Sequence, residues 1–205
     1  MYDFSIPMAL VDYIPVFFFG VSALLLQQDL YNKMCKGSYA LFAAGTLNVF
    51  CAGFLKATWK LLYAAGICDF AALNSLFMPL QSIGFLLIGL GLLAMFCKKS
   101  CAATVLAAPP VFSGTFVFIG MMVAGLGCLC ACLGVLAAKL KKVPAIVLFV
   151  LAFVGSLAMG YMSSRDSTSA IINWIEQGIN TVSQGCLRAG VLMLHKSGLK
   201  DLKLK

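Results

Sequence analysis

From Ser100 to Lys139 the chain reads SCAATVLAAPPVFSGTFVFIGMMVAGLGCLCACLGVLAAK, with no charged side chain before its last residue. A charge-free stretch of this length belongs in hydrocarbon, where about 20 mostly apolar residues make one helical crossing. It is too long for one perpendicular helix and slightly short for two with a turn. Pro109-Pro110 divides it, which predicts a loop or half-helix near 102–108 and a span over 111–138. The other arrangement is a hairpin of two helices within 100–139.

Working outward, the same test finds spans at 11–28, 38–64, 71–96 and 143–163, and a sixth segment at 169–195 that is different in kind. Pro15 falls in the first turn of its span, where the missing N–H costs nothing, and Pro144 stands at the start of another. Backbone polar groups in lipid must be paired internally, so spans are helices or closed barrels. Long continuous apolar runs are not the alternating segments of about 10 residues that build barrels. The expectation is an all-α, polytopic integral membrane helical bundle. It forms one membrane domain over 1–205, with six transmembrane helices, or seven if 100–139 is a hairpin.

Composition agrees. Of 205 residues, 62% are hydrophobic and 11% charged, against about 25% charged in a soluble domain. That excludes a soluble enzyme, a disordered tail and a fibrous repeat. The 15 Lys and Arg outnumber the 7 Asp and Glu. They cluster between apolar runs: Lys33 and Lys36, Lys98-Lys99, Lys139 with Lys141-Lys142, and Lys196, Lys200, Lys203 and Lys205 in the tail. This placement fits anionic lipid headgroups, at roughly 1 kcal/mol per basic residue, rather than nucleic acid. Six alternating spans put Lys33, Lys36, Lys98, Lys99 and Arg165 on one side and Lys139–Lys142 with the tail on the other. The positive-inside rule then chooses no orientation; seven spans would move Lys139–Lys142 beside Lys98-Lys99. The N-terminus lacks a basic region and a cleavage site, so the first span is read as retained. The cell (plasma) membrane is the expected location.

Nine cysteines occur and none form a C-x-x-C pair. Cys97 and Cys101 flank a basic loop. Cys128, Cys130 and Cys132 alternate on a helix, roughly 200° apart, so they do not converge on a metal. They read as small apolar filler. His195 is the only histidine, and no hydrolase, P-loop or dinucleotide motif occurs. No catalytic residue, metal or cofactor is expected, and the nearest substitute for a base at a thiol, His195, has no visible partner.

Ionisable and amide side chains at membrane depth are costly and mark candidate sites. In the second segment Asn48, Ala52, Lys56, Trp59 and Tyr63 share a face roughly 80° wide. They suit a polar ligand or an anion, or else Lys56 and Lys60 snorkel to the headgroups beside a Trp59–Tyr63 belt. In the sixth, Asn173, Glu176, Gln177, Asn180, Ser183, Gln184 and Arg188 occupy an arc of about 140°. The helix either crosses with this face turned inward or lies flat at the interface. An amide-rich face favours the inward lining. In the third, Asn74, Gln81 and Ser82 surround Pro79, which frees the carbonyl of residue 75 and could break the helix beside a site. Asp69 could pair with Lys60 or cap that segment.

Residues 47–57 and 179–189 align without gaps: Asn48 with Asn180, Gly53 with Gly185, Leu55 with Leu187, Lys56 with Arg188, Ala57 with Ala189. This predicts a weak internal repeat over about 12–65 and 143–195, a feature frequent in transporters. Gly120, Ala124, Cys128 and Cys132 recur every four residues, a spacing for close helix packing or a homo-oligomer seam.

The expected function is binding and translocation of a small polar or anionic solute through a site on the second, third and sixth helices. Its residues are Asn48, Lys56, Trp59, Gln81, Asn173, Trp174, Glu176, Asn180, Gln184 and Arg188. Lys56 and Arg188 attract the solute, Glu176 holds one of them in an ion pair, and Trp59 or Trp174 stacks on it. A sensor or substrate-capture subunit working with a partner protein is the second expectation, and an intramembrane enzyme the third.

Overall fold

The computed structural model describes residues 4–96, 115–163 and 170–203. Among them every regular element is helical. Ser5 caps α1 (Ile6–Val11), its hydroxyl accepting from the Met8 N–H at 3.4 Å. The chain breaks at Asp12 and resumes as α2 (Tyr13–Leu30), with Pro15 in its first turn. A short turn leads to α3 (Lys36–Ala64), capped by Cys35. Beyond Gly66, at φ 68°, come α4 (Ala71–Ser75) and α5 (Phe77–Phe96). Then follow α6 (Thr115–Lys139), α7 (Val143–Ser163) and α8 (Ala170–Lys196).

Five stretches are long and apolar enough to cross a membrane: Ile6–Lys33, Lys36–Ala64, Ala71–Phe96, Phe116–Lys139 and Val143–Met162. The protein is a helical membrane bundle. The third segment breaks one turn before Pro79, at Leu76. Pro79 therefore sits in the first turn of α5, where its missing N–H costs little. α6 is one unbroken helix from Thr115 onward; the choice between hairpin and half-helix before it falls on 97–114, outside the described residues, as do Cys97 and Cys101.

The six long helices close into a ring in the order α2, α3, α5, α6, α7, α8 and back to α2. Side-chain contacts give the directions. Tyr13 meets Thr58 and Gln27 meets Thr46, so α2 and α3 are antiparallel. Ser38 donates to the Gly91 carbonyl while Lys56 lies over Phe77, so α3 and α5 are antiparallel too. Gly125 abuts Phe85, Gly89 abuts Cys128, and Lys139 lies over Phe96 at 5.8 Å. Hence α5 and α6 run parallel, and Phe96 and Thr115 lie at opposite ends of the bundle. Ser183 bonds Ser156, and Gly190 abuts the Phe149 ring, making α7 and α8 antiparallel. α8 runs parallel to α2, from Arg188 at Phe18 to His195 at Asp29.

These directions gather Lys33, Lys36, Lys139, Lys141, Lys142, Lys196, Lys200 and Lys203 at one end, the basic end. Six alternating spans would have separated the first two from the rest; parallel α5 and α6 are the reason they are together. The tail is tied there, with Lys33 Nζ donating to the carbonyls of Lys200 (2.8 Å) and Leu202 (2.6 Å).

α8 is less apolar than the other long helices, yet it accompanies α2 from end to end. Its buried residues include Asn173, Gln177 and Ser183. Ile171, Ile175 and Val182 on the opposite face are exposed, the last at 68%. This is the inverse of a helix in a soluble protein, and it suits lipid outside and polar groups within. The amide face packs against the other helices, in line with the inward-lining expectation, and the apolar face is turned outward.

Helices α3, α5 and α6 meet almost backbone to backbone. A Cβ on Gly45 would stand 2.6 Å from the Gly84 carbonyl oxygen, and one on Gly125 would collide with the Phe85 backbone. The four-residue stripe on α6 instead drifts around the helix by about 40° per step. Gly120 and Ala124 lie outside, Cys128 faces α5, and Cys132 is buried. Gly125→Val should lower thermal stability by about 1–3 kcal/mol or more, the cost of forcing extra carbon into a full interface. Gly120→Val, where an added Cβ meets no described atom within 4 Å, should leave the midpoint in detergent unchanged.

Candidate functional site

The ring leaves a partly open cavity between α2, α3, α5, α7 and α8, in the half of the bundle away from the basic end. It has two adjoining compartments that share Val16, Gly53, Phe77, Met159 and Asn180. The outer one, of about 60 Å³, adds Asp12, Lys56, Ala57, Lys60, Glu176 and Gln177. The inner one, of about 70 Å³, adds Pro15, Phe19, Val49, Phe50, Gln81, Phe85 and Gln184. Phe19 and Phe85 meet edge to face at 6.1 Å and floor it. Beyond them lies continuous apolar core, with Leu26, Leu30, Leu92, Leu133, Leu136 and Leu194 all buried.

Local structure places each polar wall. The break at Asp12 turns its carboxylate inward, where Lys60 Nζ meets Oδ2 at 2.6 Å, both side chains being over four-fifths buried. Lys56, one turn before Lys60, has no carboxylate partner among the described residues; its Nζ stands 4.0 Å above the Phe77 ring. The break at Leu76 starts α5 with Phe77 and points Gln81 inward. From α8 come Glu176, Gln177, Asn180 and Gln184, whose positions fall within 100° of one another on the helix. Gln177 Nε2 donates to the Met8 carbonyl at 3.2 Å. Buried Gln81 Oε1, Glu176 Oε1 and Gln184 Oε1 have no hydrogen-bond partner among the described residues.

Of the residues expected at the site, Lys56, Gln81, Glu176, Asn180 and Gln184 line the cavity. Asn48 and Trp59 do not. The cavity face of α3 is centred on Gly53 and Lys60, roughly 100–140° round the helix from them. Lys56 is the edge of the stripe that the two faces share. Trp59 Nε1 instead donates to Asp69 Oδ1 at 3.0 Å, and its ring meets Phe4 edge to face. Asp69 is thereby committed to Trp59, and Lys60 to Asp12. Trp174 is 44% exposed on the outer surface of α8, so it stacks on nothing inside. Asn173 is buried near the start of α8, off the cavity wall. Arg188 lies deeper, its guanidinium 4.9 Å from the Phe18 ring centroid and its buried Nε without a hydrogen-bond partner among the described residues. Glu176 forms no ion pair with Lys56 or Arg188 among the described residues.

Sequence reasoning missed Asp12, Lys60 and Gln177 as site residues. Asp12 reads as a helix-end residue and Lys60 as a snorkelling one; only packing of α2 against α3 joins them. His195 has a partner after all: Nδ1 lies 3.0 Å from Oδ2 of the buried Asp29 at the basic end. Among the described residues no three of His, Cys, Asp and Glu gather where they could hold a metal ion.

No family model, no curated protein and no solved structure matches the chain. The Asp12–Lys60 pair is the strongest electrostatic tie in the site, and cutting one side leaves a buried lone charge. Asp12→Asn or Lys60→Met alone should destabilise by about 3 kcal/mol. The double variant should recover most of that in thermal unfolding. Equal loss in single and double variants would mean that the pair does not hold α2 to α3.

Proposed function

We propose that the protein binds a small polar or anionic solute in this cavity and carries it across the cell membrane. The observation that supports this most is the contrast between the two faces of the bundle. Its outside is apolar, while a closed ring of helices surrounds Lys56, Glu176 and the amides Gln81, Asn180 and Gln184. Leaving a buried polar atom unpaired costs about 1–3 kcal/mol, and a charge at membrane depth about 2.5–3.5 kcal/mol. A chain that keeps several such groups converging on one space uses them on what enters it. The lysine-rich end reads as cytoplasmic by the positive-inside rule, so the cavity faces the other side. Passage then requires Phe19 and Phe85 to part, since they separate the cavity from the apolar core. The break at Leu76, where α5 starts, leaves the short helix α4, with no buried residue, able to move relative to the bundle.

Proteoliposomes containing the purified protein should accumulate label from a mixture of carbon-14 amino acids, short carboxylic acids and sugars. Asn180→Ala and Gln81→Leu should cut that uptake at least tenfold with little change in thermal midpoint. Trp174→Ala, on the outer surface, should leave it unchanged. Uptake no greater than in protein-free liposomes, or full uptake by both cavity variants, would remove the basis for this reading.

A further inference from the structure

The outer compartment holds four charged side chains, and only two of them cancel. Asp12 and Lys60 form an ion pair. Lys56 and Glu176 line the same compartment from α3 and α8, two helices that are not neighbours in the ring. Neither has an ion-pair partner among the described residues, and they stand more than 4.0 Å apart. Glu176 Oε1 is buried without a hydrogen-bond partner, and Lys56 Nζ rests on the face of Phe77. The compartment therefore offers one positive and one negative group on different walls, with space between them.

From this pairing, and resting on the transport reading above, we infer that the solute is a small zwitterion. Its anionic group meets Lys56 and its ammonium meets Glu176. A plain anion drawn to Lys56 would face the Glu176 carboxylate across the same space, and a plain cation drawn to Glu176 would face Lys56 Nζ. Like charges at such range disfavour both. A molecule carrying both signs satisfies both walls at once. Asn180, shared by the two compartments, and Gln81 and Gln184 below it offer hydrogen bonds to its remainder. A water-sized sphere takes up about 10–15 Å³, so the two compartments, of about 70 and 60 Å³, hold roughly nine to thirteen such spheres. That is the scale of an amino acid and leaves no room for a long peptide. Phe77 serves the same arrangement by fixing the lysine head through its ring face.

Three probes of matched shape separate the possibilities: L-alanine (both charges), propionate (negative only) and L-alaninamide (positive only). Binding to the full chain in nanodiscs is measured by calorimetry, with thermal midpoint as a second readout. Alanine should bind at least tenfold tighter than either analogue. Glu176→Gln should weaken alanine at least tenfold and strengthen propionate; Lys56→Gln should weaken alanine and strengthen alaninamide. Each variant removes a charge that has no ion-pair partner among the described residues, so thermal midpoints should hold or rise, and a gain of binding by the analogue cannot come from misfolding. Propionate binding as tightly as alanine to the parent overturns the zwitterion assignment and leaves the transport reading standing. Binding of none of the three also overturns it, and the pooled uptake measurement then decides whether the cavity carries another solute.

Discussion

Everything polar in this bundle is organised by one constraint, that lipid offers no hydrogen bonds. α8 shows it most clearly. Its amide and serine face is pressed against α1, α2 and α7, where Gln177 reaches the Met8 carbonyl and Ser183 reaches Ser156 and the Ala152 carbonyl. Its isoleucines and Val182 face outward. Turned the other way, the same helix would present several amides to hydrocarbon, each at a cost of kcal/mol. The inward turn of α8 closes the ring onto α2 and supplies a wall of the cavity.

Charge is divided between two settings that obey different rules. At the basic end the lysines are mostly exposed, and they act as headgroup contacts and orientation signals. At the opposite end, charges are carried inside the ring. There Asp12 and Lys60 neutralise one another and pin the start of α2 to the end of α3. The close approach of α3, α5 and α6 through Gly45, Gly84, Gly89 and Gly125 keeps the other side of the ring tight. The cavity lies where these close contacts give way to side chains.

Much of this was legible without coordinates. Long apolar runs with little charge located the five spanning helices, because bilayer thickness sets a length that sequence must meet. The polar arc of α8 was legible because a helix places residues at fixed angles. The stripe on α3 was half right for the same reason. Asn48, Lys56 and Trp59 do share a face, but that face borders the cavity only at Lys56, and helix rotation is set by neighbours. Trp174 illustrates the limit: it follows directly after Asn173 yet lies 100° round the helix, on the lipid side.

Sequence alone determined that the chain is a bundle of membrane helices and that its last long helix carries a polar face, since length, periodicity and desolvation act locally. Tertiary structure alone decided which helices run parallel and hence that the lysine clusters share one end. It also decided that Asp12, and not Asp69, pairs with Lys60, and that Lys56 and Glu176 border one space without touching. Those outcomes depend on helix order, direction and rotation, which arise from packing between residues distant in the chain and leave no periodic trace along it.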